Sequence, residues 1–288
     1  MMMEEEGVVE NSERYRLCVN ALKGFMDDAG FSDVVIGLSG GMDSSLVAVM
    51  CADALGADRV HGVLMPGPYS TDHSVDDALD LARNLGIRTR TVSIAEPYRA
   101  FEAALAEACG GKLSGLAAEN TQARCRMVCL MALSNAYGWM LVNTGNKSEG
   151  AMGYCTLYGD AVGALGVIAD LTKTQVYDVA EWYNRSRGSD IIPRAIIEKA
   201  PSAELHPGQK DSDSLPPYSE LDPIIETLIA AEPRTPLSPC GPRGPEVRAR
   251  LFRSEFKRRQ EPQPLYVSAR PFGRAWSVPL AGNFRLPR

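Results

Sequence analysis

Short apolar runs alternate with longer amphipathic segments through the first two thirds of the chain. The predicted strands are Asp33–Leu38, Arg59–Met65, Arg88–Ile94 and Trp139–Asn143. The predicted helices are Ser44–Leu55, His73–Leu85, Tyr98–Ala108 and Asn120–Tyr137. Strands that alternate with helices favour an α/β fold with a mostly parallel sheet and helices on both faces. Right-handed crossovers would then bring the loops that follow the strands to the carboxyl edge of the sheet, where ligands bind.

The pattern changes near residue 190, because 16 of the 19 prolines lie at or after Pro193. Proline interrupts helices and removes strand donors, so the acidic stretch Pro201–Leu221 is predicted to be a long loop. Helices are predicted to resume at Asp222–Ala231 and Glu246–Arg259. We therefore predict one domain over residues 1–288, with three regions. These are an N-terminal helical region 1–30, a nucleotide-binding α/β core 31–190, and a lid loop with a helical, proline-rich C-terminal segment 191–288.

A glycine-rich turn follows the first predicted strand, and residues 38–45 read Leu-Ser-Gly-Gly-Met-Asp-Ser-Ser. A strand, a glycine pair and a helix start bring several backbone N–H groups to one point, which suits a phosphate chain. The turn lacks the lysine of the Gly-x-x-x-x-Gly-Lys-Ser/Thr loop. Asp43 beside a triphosphate requires a cation such as Mg²⁺ between them. The alternative is an ordinary Gly-Gly turn with a serine at the helix start.

Composition places few further limits on function. Seven cysteines without Cys-x-x-Cys spacing indicate neither a zinc site nor a disulfide framework. The acidic start lacks the order of a signal peptide, and no apolar run is long enough to span a bilayer, so we expect a cytoplasmic protein with no membrane partner. From Gly241 onward there are 11 basic and 3 acidic residues, spread among prolines and aromatic residues. We interpret them as a solvated or interface surface and expect no nucleic-acid partner.

Several motifs beyond the glycine-rich turn occur in a fixed order. They are Glu119-Asn120-Thr121-Gln122-Ala123-Arg124, Thr144-Gly145-Asn146-Lys147-Ser148-Glu149, Tyr158-Gly159-Asp160, Thr172-Lys173, Lys199-Ala200-Pro201-Ser202-Ala203-Glu204-Leu205 and Phe256-Lys257-Arg258-Arg259-Gln260. Together they resemble NAD synthetase, a family of N-type ATP pyrophosphatases. The sequences of these motifs are closest to those in the synthetase domain of glutamine-dependent members. The resemblance implies a Rossmann-like fold of the adenine nucleotide alpha hydrolase type.

The resemblance also implies roles for individual residues. The ATP-binding residues would be Gly37, Leu38, Ser39, Gly40, Gly41, Met42, Asp43, Ser44, Thr144, Lys173 and Ser202. Asp43 and Glu149 would bind Mg²⁺, Asp43 and Lys173 would be catalytic, and the substrate residues would be Arg124, Phe256 and Lys257. From the residues alone, Glu149, Lys173 and Lys257 could be solvated charges, and Arg124 could be a buried structural arginine. Two departures from the family pattern are Leu157, where a lysine is usual in ammonia-dependent enzymes, and Phe256.

The implied reaction amidates the carboxylate of nicotinic acid adenine dinucleotide, or deamido-NAD. The carboxylate attacks the α-phosphorus of ATP, pyrophosphate leaves, and ammonia displaces AMP from the acyl-adenylate. The chain begins about thirty residues before the first strand, so we expect the ammonia-dependent reaction or a separate glutaminase partner. Asp160 is a candidate acceptor for the ammonium proton. The resemblance further implies a homodimer.

Two other functions remain open from the sequence. One is an ATP pyrophosphatase that amidates or thiolates a different acceptor. The other is a non-catalytic sensor of adenine nucleotides with the same fold. A sensor would not need two metal-binding carboxylates together with a second anion site, so pyrophosphate release from ATP distinguishes it from an enzyme.

Overall fold

The computed structural model describes residues 10–230, 240–273 and 276–278. It contains a six-stranded, entirely parallel sheet in the order β3-β2-β1-β4-β5-β6. The strands are β1 Val34–Gly37, β2 Val60–Leu64, β3 Arg88–Thr91, β4 Met140–Asn143, β5 Leu165–Gly166 and β6 Gln263–Pro264. This confirms the predicted α/β class and its parallel sheet. The chain reverses its direction of strand addition between β1 and β4, where ligands of open parallel sheets bind.

The strands are separated by helices that cover the sheet. They are α1 Asn11–Ala29, α2 Met42–Leu55, α3 Asp72–Leu85, α4 Ala95–Leu105, α5 Gly115–Tyr137, α6 Lys147–Met152, α7 Lys173–Arg187, α8 Arg194–Glu198, α9 Tyr218–Ala230, α10 Gly244–Arg253 and α11 Glu255–Arg258. No described helix is long and apolar enough to cross a membrane. The predicted regions 1–30 and 191–288, and the predicted helix end at Ala231, extend beyond the described residues.

Alternate side chains of β1 point to opposite faces of the sheet and enter separate apolar clusters. Val34 and Ile36 pack with α1, α2, α3 and α7, whereas Val35 packs with α4 and α5. Because both faces are covered, all three valine and isoleucine side chains are fully buried. A third cluster joins α6, α9 and α10 and includes Met152, Leu221 and Leu251. The proline-rich segment is therefore attached to the core through α6.

Several predicted boundaries were wrong for identifiable reasons. Helix α6 was not among the predicted helices, and its start is fixed by reciprocal hydrogen bonds between Asn146 and Glu149. Helix α9 begins at Tyr218 rather than Asp222, so Pro223 lies in its second turn instead of at its start. The predicted single helix 246–259 is divided at Ser254 into α10 and α11. Strands β5 and β6 have two residues each and were not predicted.

Candidate active site

A cavity of about 830 Å³ opens at the carboxyl edge of the sheet between β1 and β4. Its walls come from the loops after these strands, from α5 and α6, and from the proline-rich segment. Among the predicted site residues, the cavity lining includes Gly37, Leu38, Ser39, Gly40, Gly41, Met42, Asp43, Ser44, Thr144, Glu149, Lys173, Ser202 and Lys257. The fold therefore brings together residues that are up to 220 positions apart in the sequence. The volume lies in the range of ligand pockets in proteins.

The glycine-rich turn has a backbone that only glycine can adopt at its centre. Gly40 has φ +74°, and a Cβ atom there would lie 2.1 Å from the carbonyl oxygen of Ser74. Gly41 is the N-cap of α2 and offers no side-chain acceptor to the first helical amides. These N–H groups and the positive end of the helix dipole consequently face the cavity, as an anion site requires. The hydroxyl of Ser44 lies 3.0 Å from that of Ser39 and supports the turn.

Three charged side chains converge beside this turn. The ammonium group of Lys173 pairs with Asp43 Oδ2 and lies 4.0 Å from Glu149 Oε1. Lys173 is only 4% exposed, and the two carboxylates are 18% and 21% exposed. Burial raises the pKa of Glu149, and the nearby Asp43 raises it further, whereas Lys173 opposes the shift. Burial alone would lower the pKa of Lys173, but the two carboxylates outweigh it and raise that pKa.

The donor set fits a hard divalent cation. Asp43 and Glu149 are oxygen donors on either side of one ammonium group, which offsets only one of their two negative charges. Within the described residues, no cluster of three or more His, Cys, Asp or Glu side chains is arranged to hold a metal. Mg²⁺ commonly takes one or two carboxylates and completes its octahedron with water and phosphate oxygens. The pair therefore suits a metal ion that arrives with a nucleotide.

Two helix starts place these groups. Asn146 caps α6 and also donates from Nδ2 to Asp43 Oδ1 at 3.0 Å, which ties α6 to the glycine-rich turn. Thr172 caps α7 through an equivalent reciprocal pair with Gln175, so Lys173 is the first residue of α7. A lysine opposes the dipole at a helix start. The adjacent carboxylates compensate for this mismatch.

The stretch after α8 closes one side of the cavity and contacts α3 and α5. Glu204 accepts hydrogen bonds from the backbone and hydroxyl of Thr71, at 3.3 and 3.2 Å, and from the hydroxyl of Ser74. Gln122 on α5 donates to the carbonyl oxygen of Leu205 at 2.9 Å. Ser202 lines the cavity, and its hydroxyl accepts from the backbone of Glu204 at 3.1 Å. This stretch has the position that a lid over the cavity requires.

Asp160 faces the cavity from the loop between β4 and β5. Its carboxylate accepts from the backbone of Thr156 at 2.5 Å, and its own carbonyl oxygen accepts from Asn143. The residue is exposed and lines the cavity, and its partial removal from water there raises its pKa to about 6, against the opposing effects of the Thr156 amide and Lys257. A carboxylate with such a pKa is suited to accept a proton near neutral pH.

The predicted substrate residues do not all lie in the cavity. Lys257 lines it, but its ammonium group donates to the carbonyl oxygens of Gly153 and Cys155 at 2.8 and 2.6 Å. Phe256 is 47% exposed on the surface. Arg124 is exposed rather than buried, and donates to the carbonyl oxygen of Leu157 at 3.3 Å. The lining of the cavity includes neither Arg124 nor Phe256.

Sequence reasoning missed Arg126, which lines the cavity two residues after Arg124 on α5. Its guanidinium donates to the carbonyl oxygen of Met65 at 3.1 Å, and burial lowers its pKa. Asp211 on the lid side was also missed, and it accepts from the hydroxyl of Tyr218 at 2.8 Å. The helical period of 3.6 residues places Arg126, and not Arg124, on the same face of α5 as Ala123 and Leu130, which line the cavity. This period was the signal that could have identified Arg126.

Comparisons with known proteins identify the family of the chain. Residues 14–260 match the family model described as NAD synthase. The glutamine-dependent NAD(+) synthetase of Synechocystis sp. is 45% identical over 283 residues, which are 96% of this chain and 50% of that protein. The chain thus spans about half the length of the curated relatives it matches.

Two solved structures share the fold. One is a glutamine-dependent NAD+ synthetase from Acinetobacter baumannii in complex with ADP, with TM-score 0.65 and 33% identity over 99% of this chain and 52% of that one. The other is an NH3-dependent NAD synthetase from Campylobacter jejuni, with TM-score 0.69 and 26% identity over 86% of this chain and 96% of that one. The family match covers most of the chain, and the chain belongs to the NAD synthase family.

Proposed function

We propose that the chain forms NAD by amidating deamido-NAD with ammonia, while ATP is split to AMP and pyrophosphate. The observation that carries the proposal is the convergence of Asp43, Glu149 and Lys173 beside an open helix start in one cavity. This arrangement suits the polyphosphate of ATP and its accompanying Mg²⁺. The ADP complex of the Acinetobacter baumannii relative supports an adenine nucleotide as ligand.

Each step of the reaction requires charge stabilisation and alignment. The amides of the glycine-rich turn would bind the leaving pyrophosphate, and Lys173 would turn from Asp43 toward phosphate oxygens as charge develops there. Holding both substrates in one cavity aligns the carboxylate with the α-phosphorus. Thr144 and Ser202 lie where they can contact the nucleotide. Asp43 and Glu149 would hold Mg²⁺, which neutralises phosphate charge when bound.

A product assay tests the proposal. The purified chain is incubated with ATP, Mg²⁺, ammonium and deamido-NAD, and NAD, AMP and pyrophosphate are quantified. We expect equal amounts of the three products, and none when deamido-NAD is omitted. Pyrophosphate release that does not respond to deamido-NAD would indicate a different acceptor, and no release at all would indicate a nucleotide sensor.

We expect Asp160 to accept a proton from ammonium, because its pKa of about 6 leaves it ionised at neutral pH. As the pH falls through 6 the carboxylate becomes protonated and the base is lost. The ratio of the wild-type rate to the Asp160→Asn rate should therefore be constant above pH 7 and fall toward one below pH 6. The pH dependence of the ammonia concentration affects both rates equally, so it does not change their ratio. A ratio that does not change with pH would exclude this role.

We expect the lid, residues 201–217, to exchange its amide hydrogens faster without ligands than with ATP, Mg²⁺ and deamido-NAD bound. Its first part is attached to the core through hydrogen bonds of Glu204 and Leu205 with α3 and α5, which can open locally, whereas Leu215 anchors its end in the apolar cluster of α6, α9 and α10. Hydrogen exchange followed by mass spectrometry measures the difference, and peptides from α2 provide the reference. Equally slow exchange in both states would contradict ligand-dependent closure.

The proposed function includes a homodimer. Arg124 and Phe256, which resemble substrate-binding residues of the family, are exposed beside Tyr158, which is 57% exposed. A second copy packed on this surface would enclose them. Light scattering of the purified chain should give the mass of two copies, and a monomer at the concentrations that support activity would contradict the proposal.

A further inference from the structure

Asp222 is a buried carboxylate that the proposed chemistry does not use directly. It lies on α9, in the first turns after the lid, and is 1% exposed. A buried carboxylate is costly unless its oxygens accept hydrogen bonds. Both oxygens of Asp222 have such partners, and these partners belong to two other elements, α6 and α7.

The first oxygen binds α6. Asp222 Oδ1 accepts from the hydroxyl of Ser148 at 2.6 Å, and both side chains are buried. Ser148 immediately precedes Glu149, the proposed metal ligand on the same short helix. A bond to Ser148 therefore limits the rotation and displacement of α6 that would move Glu149.

The second oxygen binds the start of α7. Asp222 Oδ2 accepts from the backbone of Thr174 at 2.8 Å, and the hydroxyl of Ser148 accepts from the backbone of Lys173 at 2.9 Å. A carboxylate is favourable at the positive end of a helix. Asp222 and Ser148 together thus bind the first two amides of α7, from which the side chain of Lys173 extends to Asp43 and Glu149.

We propose that Asp222 is a positioning residue that fixes α6 against the start of α7 and so holds Glu149 and Lys173 in the geometry needed for Mg²⁺ and ATP. The inference rests on the proposed function. Since Asp222 lies on α9, the helix that follows the lid in sequence, it also connects the base of the lid to these groups. Partners that orient metal-binding groups commonly change metal affinity or activity by about 10 to 100-fold when they are removed.

Glu226 provides a matched control. It lies one turn further along α9 and also contacts α7, because Gln175 Nε2 donates to Glu226 Oε1 at 2.7 Å. This contact is exposed and does not reach α6. Glu226→Gln therefore removes one charge from the same helix and the same helix pair while leaving the bonds to Ser148 and Thr174 in place.

The test compares Asp222→Asn, Ser148→Ala and Glu226→Gln with the wild type. Asparagine can accept only one of the two hydrogen bonds. Ser148→Ala removes both bonds of the Ser148 hydroxyl, to Asp222 and to the amide of Lys173, and leaves the bond between Asp222 and Thr174 in place. Calorimetry measures ATP binding with Mg²⁺ and in EDTA, and steady-state rates give kcat and KM for deamido-NAD. We expect Asp222→Asn and Ser148→Ala to reduce the Mg²⁺-dependent gain in ATP affinity about tenfold and kcat by at least as much, with little change in the KM for deamido-NAD.

The outcomes separate the inference from the proposed function. If the wild type binds Mg²⁺ and ATP but forms no NAD, the proposed function is wrong, and the binding comparison still tests Asp222. If the wild type is active and both variants match Glu226→Gln in Mg²⁺-dependent affinity and in kcat, the inference is overturned. If Asp222→Asn does not fold, the inference is tested with Ser148→Ala alone, because this variant preserves the bond between Asp222 and Thr174.

Discussion

Asp43→Asn should lower kcat by about two to three orders of magnitude while leaving the fold intact. The substitution is nearly isosteric, and asparagine can still accept from Asn146, whose Nδ2 lies 3.0 Å from Asp43 Oδ1. It removes the negative charge that pairs with Lys173 and that would hold Mg²⁺ with Glu149. Without that charge the cation is held more weakly, and the charge developing on pyrophosphate is less well stabilised.

Initial rates over a range of Mg²⁺ concentrations measure the effect, and circular dichroism with a thermal melt checks the fold. Asp53→Asn is the matched control, because Asp53 lies on the same helix α2 but pairs with Arg187 and Tyr15 away from the cavity. Asp53→Asn should keep near wild-type turnover. If Asp43→Asn also did so at saturating Mg²⁺, its proposed role would be excluded.

The second large effect concerns the nitrogen donor, and we expect the 288-residue chain to form NAD from ammonium but not from glutamine. Releasing ammonia from glutamine requires an activated nucleophile such as a thiolate beside a base. Burial raises the pKa of Cys18 and of Cys51 to about 12. Cys155, in the cavity, donates to Glu261 at 3.0 Å, and burial together with this carboxylate raises its pKa.

The measurement is NAD formed per minute with ammonium or with glutamine at matched concentrations. Glutamate release from glutamine is followed in parallel, and a preparation of Asp43→Asn purified in the same way reports any contaminating glutaminase. The ammonium rate should exceed the glutamine rate at least about a hundredfold, because the raised pKa values of Cys18, Cys51 and Cys155 disfavour the thiolate that would attack glutamine. Comparable rates with no glutaminase in the control would show that these residues release ammonia themselves.

The parts of the site that could be predicted from the sequence are those marked by a pattern of neighbouring residues. The glycine-rich turn follows an apolar strand and precedes a helix, so its position in the sheet follows from the order of elements alone. Lys173 was identified through the motif Thr172-Lys173, and the capping pair of Thr172 and Gln175 is a further local signal for the start of α7. The same signal was present in Asn146 and Glu149, and reading it would have revealed α6.

The contacts that could not be predicted connect distant parts of the chain. Asp222 bonds to Ser148, 74 positions away, and nothing in the neighbouring sequence distinguishes it from a solvated helix carboxylate. Strands of two residues carry too little periodicity to be recognised, and β5 and β6 exist because neighbouring backbones supply their partners. The exposure of Arg124 likewise depends on how α5 is rotated against the sheet.

The close approach of Gly40 to Ser74 limits how this protein can vary. Even the methyl group of alanine would overlap the Ser74 carbonyl oxygen, and this atom belongs to a backbone that cannot move aside without moving α3. Ser74 also bonds to Glu204 of the lid through its hydroxyl. Position 40 therefore tolerates only glycine for two reasons. Any side chain there would disturb the phosphate-facing turn, and by displacing Ser74 it would also disturb the contact between α3 and the lid.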